Sequence, residues 1–150
     1  MLRAIIVFVL VLAVAVVVGV TAHSLFIMHA WTMAAVQATG APPSAPSTAD
    51  HITWITHDIV GMGPMYGVLT GIAFAIAFTV AGLLARFTGL RTIVFVVAGA
   101  VAIVVLFTIM KATLGTVGVF GARGPEGLAV QAAVGALAGL LFATFKPAAE

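Results

Sequence analysis

Apolar residues fall into four long runs, and nearly every polar side chain sits between the runs or at their ends, a pattern that predicts four helices crossing a lipid bilayer. A crossing needs about 20 mostly apolar residues to traverse a ~30 Å hydrocarbon layer. Spans at about residues 4–30, 63–85, 92–112 and 126–145 meet that need. The first follows a single charge, Arg3, and stays apolar through Leu25, Phe26, Ile27 and Trp31. A secretory signal competes for this segment, because Val20-Thr21-Ala22 is an acceptable cleavage site that would leave His23 first. The run outlasts the usual apolar core of a signal, about 7–15 residues, so a helix reaching about Gln37 is expected.

The punctuation between runs is specific. Gly40, Pro42, Pro43, Ser44, Pro46 and Ser47 form a stretch that cannot be helical. Ser47 followed three residues later by Asp50 has the form of a capping box, which predicts a short interfacial helix over about 49–60. Gly61-Met62-Gly63-Pro64 then disturbs the chain, and Pro64, lacking a backbone donor, is expected to kink the second long helix there. Arg86 and Arg91 flank a tight turn at Thr88-Gly89. A glycine-rich loop follows the third span, and Pro125 opens the last helix with Glu126 complementing its positive N-terminal dipole. Lys146-Pro147 ends it.

Composition removes any soluble reading: 63% of the 150 residues are hydrophobic, 7% are charged and the mean hydropathy is +1.31, against a charged fraction of about a quarter in soluble domains. The expectation is an all-α integral membrane bundle filling residues 1–150 as one transmembrane domain. Zero cysteines exclude disulfide exchange and thiolate metal sites. Six Lys/Arg against four Asp/Glu are too few for a nucleic-acid surface. The charges report topology instead: Arg3, Arg86, Arg91 and Lys146 share one side, while Lys111 and Arg123 on the other are balanced by Asp50, Asp58 and Glu126. The positive-inside rule therefore predicts both termini in the cytoplasm, N-in and C-in, with the longer loops facing outward.

Small residues recur every four positions at Gly63, Gly67, Gly71, Ala75 and Thr79, and again at Gln131, Gly135, Gly139 and Ala143. Such stripes let membrane helices approach closely, and packing of the two on each other is expected. The alternative is that one of them docks another copy or another subunit.

His23, His29, His51 and His57, both tryptophans, five methionines, Asp58, Tyr66 and Lys111 all map to the exterior half. Imidazole and thioether ligate copper, and paired imidazoles ligate haem iron. His29 and Met33 share a helix face, as do His51 and Asp58, with Met62 nearby in sequence. The pairs His23/His29 and His51/His57 are each six apart and point in different directions. A haem b, copper or quinone site would therefore combine His29 with His57. The same residues also suit plain interfacial anchoring and packing. Asp58, Lys111 and Gln131 offer a proton or ion path if Lys111 turns inward, and Arg123 beside the last helix N-terminus offers an anion or headgroup contact.

The order of a long first helix, a His-Asp-rich entry to the second span with Gly/Pro, an Arg-flanked turn and Gly121-Ala122-Arg123 before the last helix resembles a family of small bacterial four-span inner-membrane proteins. That resemblance implies a multi-pass protein of the bacterial inner membrane and carries no activity with it. Four-helix membrane cytochromes b differ in placing histidine pairs deep on facing helices, whereas residues 69–85 and 92–109 hold none. With no nucleophile elbow, H-E-x-x-H or phosphate loop, the expected function is non-enzymatic. The expectation is an accessory or small-substrate-handling subunit of a membrane complex or homo-oligomer, in contact with the lipid bilayer and working at its outer side. A redox subunit and an ion-coupled transporter are the alternatives.

Overall fold

The computed structural model describes residues 2–41 and 46–146. Pro42, Pro43 and Ser44 of the expected loop, and Pro147 after the last helix, lie outside them. The elements are α1 (Leu2–Thr39), α2 (Thr48–Gly61), α3 (Gly63–Thr88), α4 (Arg91–Leu114), a 3-10 turn (Phe120–Ala122) and α5 (Pro125–Phe145). Helices α1, α3, α4 and α5 are each long and apolar enough to cross a membrane. The protein is thus a small multi-pass helical membrane protein. The four long helices alternate in direction and close a ring in the order α1, α3, α4, α5. One end of the bundle, the arginine end, holds Leu2, Arg86, Arg91 and Lys146; the opposite end holds the α1–α2 connection, the α2–α3 junction and the 3-10 turn.

The chain's own signals set the helix limits. Ser47 caps α2: its Oγ accepts from the Asp50 N–H at 3.2 Å while the Asp50 carboxylate accepts from the Ser47 N–H at 2.8 Å. These bonds from the Ser47 hydroxyl and backbone hold the Asp50 carboxyl below its ordinary pKa of 3.8. A depressed folded-state pKa adds stability above the unfolded value and loses it as pH falls through the folded value. Fraying of α2's first turn is therefore expected only below pH 3.8, measured by amide exchange. Ser47→Ala should speed exchange there about fivefold at neutral pH. At their other ends α3 and α4 stop on Gly89 and Gly115, whose φ of 69° and 71° place them in the left-handed region. Met62 separates α2 from α3, and its N–H still donates to the Asp58 carbonyl at 2.8 Å.

The small-residue stripes do not pack on each other. Gly135 and Gly139 of α5 face α4, where Gly99, absent from either stripe, receives them: a Cβ on Gly99 would overlap the Gly135 carbonyl, and one on Gly139 would overlap the Phe95 carbonyl. Backbone meets backbone along this seam. Gly63, Gly67 and Gly71 of α3 face α1 instead, where a Cβ would meet Val16 at 3.7 and 3.3 Å and Leu12 at 3.1 Å. The reason is the ring order, which makes α4 and α1 the neighbours of α3 and α5 alike. Toward the arginine end the core is aromatic: Phe78 stacks on Phe142 at 4.8 Å and on Phe74 at 5.0 Å, with Phe8 and Phe95 edge-on to Phe78.

The glycine-rich segment between α4 and α5 folds back onto the bundle. Val117, Val119, Gly121 and Ala122 are buried, and the 3-10 turn lies against α1 at His23 and Phe26. It lids that end of the bundle. Gly127 of α5 admits it, since a Cβ there would overlap the Gly121 carbonyl. Beyond this lid α1 continues over residues 27–39, about 20 Å at 1.5 Å per residue. Helix α2 returns beside it with none of its residues buried.

Candidate functional site

Helix α1 gathers the polar side chains of the lidded end. Gly19 leaves room for the Tyr66 ring of α3, whose hydroxyl would crowd any Cβ at that position. The Tyr66 O–H donates to Gln131 Oε1 of α5 at 2.8 Å, and Gln131 Nε2 donates to the Gly19 carbonyl at 2.9 Å. Gln131 is 1% exposed and Tyr66 3%, so both polar ends of the Gln131 amide are used where water is scarce. One turn deeper on α3, Thr70 is fully buried and its hydroxyl has no hydrogen-bond partner among the described residues.

One turn further along α1, His23 Nδ1 accepts from the Gly121 N–H of the 3-10 turn at 3.1 Å. An accepting Nδ1 requires the neutral ring with its proton on Nε2. Next to it, Ser24 Oγ lies 2.6 Å from Asp58 Oδ2 of α2, donating to it, and 3.1 Å from the Val20 carbonyl. Asp58 also lies 3.6 Å from His57 Nδ1, and that imidazole is 85% exposed. Arg123 closes the lid, its Nε donating to the Val117 carbonyl at 3.0 Å. The tier thus ties α2, α3, the lid and α5 to two consecutive turns of a single helix, Gly19 to Ser24.

The sequence-derived candidates divide. His23, Asp58 and Gln131 enter this tier, and Arg123 borders it. His29, Met33 and His57 are exposed and His51 and Met62 half-buried; His51 Nδ1 stays within its own helix, 2.9 Å from the Ser47 carbonyl. Among the described residues no three His, Asp or Glu side chains converge as a metal site. Lys111 is exposed near the end of α4 rather than turned inward. At the Gly121–Gly124 turn the Gly121 N–H is already engaged by His23, and part of the Arg123 guanidinium by Val117. Ser24, Thr70 and the Gly19 carbonyl were not among the candidates. A hydroxyl in an apolar run is ordinarily satisfied by its own helix, and a carbonyl carries no signature in sequence.

The tier has a floor. The buried polar side chains among the described residues are His23, Ser24, Thr70 and Gln131, and past Thr70 the interior passes to Phe74, Phe78, Phe95 and Phe142. Hydrogen-bonded groups therefore run inward from Asp58 and end in an aromatic layer. No family model, curated protein or solved structure matches the chain.

Proposed function

We propose that this chain is a non-enzymatic accessory subunit of a bacterial inner-membrane complex, oriented N-in and C-in, that docks through the α1–α2 hairpin on its outer side. One observation carries the reading: the hairpin stands about 20 Å clear of the bundle with no buried residue on α2, while Trp31, Met33, Ile52, Trp54 and Val60 are all exposed on it. Two helices alone do not enclose an apolar core, and large apolar side chains left exposed at a protein's end suit a contact surface. The hydrogen-bonded tier beneath supports this role. It fixes the hairpin root to the bundle through Ser24 and Asp58 and the lid to α1 through His23, so the projecting surface is presented rigidly. The junction at Gly61–Pro64, kinked in this reading, turns α2 back along α1.

The alternatives receive less support. A haem or copper subunit would join His29 to His57, yet both rings are exposed. An ion path would pair Asp58 with Lys111 and continue past Thr70, where phenylalanine rings fill the interior.

Photo-crosslinking residues placed at Trp31 and Trp54 should give discrete adducts in native membranes, to a second copy or to one other subunit, while the same residue at Ile76 on the bundle's outer face gives none. Monomer alone from the hairpin positions would end the docking reading. A Soret band, or copper bound one to one in purified protein, would replace it with a redox subunit.

A further inference from the structure

The opposite end of the molecule holds a second feature that the histidine-rich end does not explain. An open cleft of about 1020 Å³ lies between the start of α1 and the second half of α3, with the ends of α4 and α5 as its back wall. Its origin is the small-residue stripe of α3. Gly63, Gly67 and Gly71 bring α3 onto α1 through Val16 and Leu12, but further along the same stripe Ala75 and Thr79 line the cleft instead. Side chains there are too small to fill the space facing Ala4 and Ile5.

At the cleft's mouth stand Arg86, Arg91 and Lys146. Of the chain's four acidic residues, Asp50, Asp58 and Glu126 belong to the opposite end, and Glu150 lies outside the described residues. Arg91 is fixed by donating to the Lys146 carbonyl at the end of α5. The Lys146 side chain does not run straight out to water: its Nζ lies 5.6 Å from the Phe95 ring centroid and 5.4 Å from that of Phe142, and a Cβ added at Gly82 would meet it at 3.8 Å. Burial, and after it the charges of Arg91 and Arg86, pull the Lys146 pKa below its usual value. The described part of the site therefore joins converging cations to an apolar trough that opens on the bilayer.

We propose that this cleft binds one anionic glycerophospholipid, its phosphate between Arg86 and Lys146 and an acyl chain along the Ala75–Thr79 face of α3 against Ile5 and Phe8. Charge complementarity selects the headgroup, because a zwitterionic lipid would bring a fourth cation to a site that already holds three. The apolar trough selects a lipid over a free anion, since a phosphate ion would leave it uncovered. Basic pockets between membrane helices at the cytoplasmic surface suit anionic headgroups in this way. The site is independent of the hairpin and of any partner docked there.

Native mass spectrometry of the full-length protein in detergent tests it, with dioleoylphosphatidylglycerol and dioleoylphosphatidylcholine as probes and inorganic phosphate as competitor. One phosphatidylglycerol should be retained in preference to phosphatidylcholine. Affinity should fall about fivefold for each charge removed in Arg86→Gln and Lys146→Gln. Ala75→Phe, which fills the trough without altering charge, should weaken the lipid as well. Should Lys146→Gln fail to fold, Arg86→Gln and Ala75→Phe decide the matter, with helicity and lipid-free melting equal to the parent as the folding control. Equal retention of both lipids would overturn the proposal, as would unchanged binding in Arg86→Gln. Displacement of the lipid by equimolar inorganic phosphate would assign the site to a small anion instead.

Discussion

Gly135→Leu is expected to abolish recovery of the folded bundle, and Gly99→Leu to do the same, whereas Gly61→Ala should leave stability within about 0.5 kcal/mol of the parent. The ground is what a new side chain would meet. At Gly99 and Gly135 the obstacle is the facing helix's own backbone, each glycine's Cβ falling on the other's carbonyl. Main chain in a helix cannot rotate away as a side chain can. Without a strong hydrophobic drive between helices in lipid, α4 and α5 depend on that close approach for their dispersion contacts. A single methyl already forces the helices apart, and a leucine costs at least the upper end of the ~1–3 kcal/mol typical of overpacking. Gly67→Ala should be mild by comparison, because its Cβ meets only a Val16 methyl at 3.3 Å. Around Gly61 nothing lies within 4 Å. Unfolding by increasing SDS in mixed micelles, followed by helicity, ranks the four variants. A Gly135→Leu protein as stable as Gly67→Ala would refute the close α4–α5 seam.

That seam shows where the sequence was readable and where it was not. Helix positions were legible because a lipid-spanning helix must be apolar along its whole length, and because Ser47/Asp50, Gly89 and Pro125 act within one turn of themselves. Helix partners were not. The recurrence of Gly63, Gly67 and Gly71 states that some neighbour comes close, yet the choice between α1 and α5 depends on the ring order, a property of the whole bundle. Gly99 has the large residues Phe95 and Ile103 four positions to either side, so a four-residue periodicity could not single it out.

The polar end was partly legible for a related reason. Clustering of His23, Asp58, Tyr66 and Gln131 toward one side follows from the cost of burying polar groups deep in hydrocarbon, and the chain order alone displays it. Which of them meet is decided by the inward fold of residues 115–124. The visible signal for that fold was apolar: Val117, Val119 and Phe120 sit among glycines in a segment that would otherwise be polar. The arginine end was read only as a topology marker. Its cleft comes from α1 and α3 parting company below Gly71, which no local pattern encodes.

Within the tier, Gln131→Leu should lower stability by about 1–3 kcal/mol, the cost of leaving a buried polar group without its partner. The amide of Gln131 is the only link between α3 and α5 through side-chain hydrogen bonds among the described residues, and its removal strands the Tyr66 hydroxyl at 3% exposure. Tyr66→Phe should cost less, about 0.5–1.5 kcal/mol, because the ring still fills the space over Gly19 and Gln131 keeps its bond to the Gly19 carbonyl. In the double variant no stranded hydroxyl remains. Its loss should therefore fall short of the sum of the two by about 0.6 kcal/mol, the mean hydrogen-bond coupling inside membrane proteins, and by no more than about 1.7 kcal/mol. Tyr66 is the sole tyrosine beside two tryptophans, so the ultraviolet difference spectrum against Tyr66→Phe isolates its band. Gln131→Leu should shift that band while leaving helicity intact, as loss of a hydrogen-bonded phenol does. Additive losses with an unmoved tyrosine band would mean that Gln131 and Tyr66 pack side by side without bonding, and that α3 is held to α5 by shape alone.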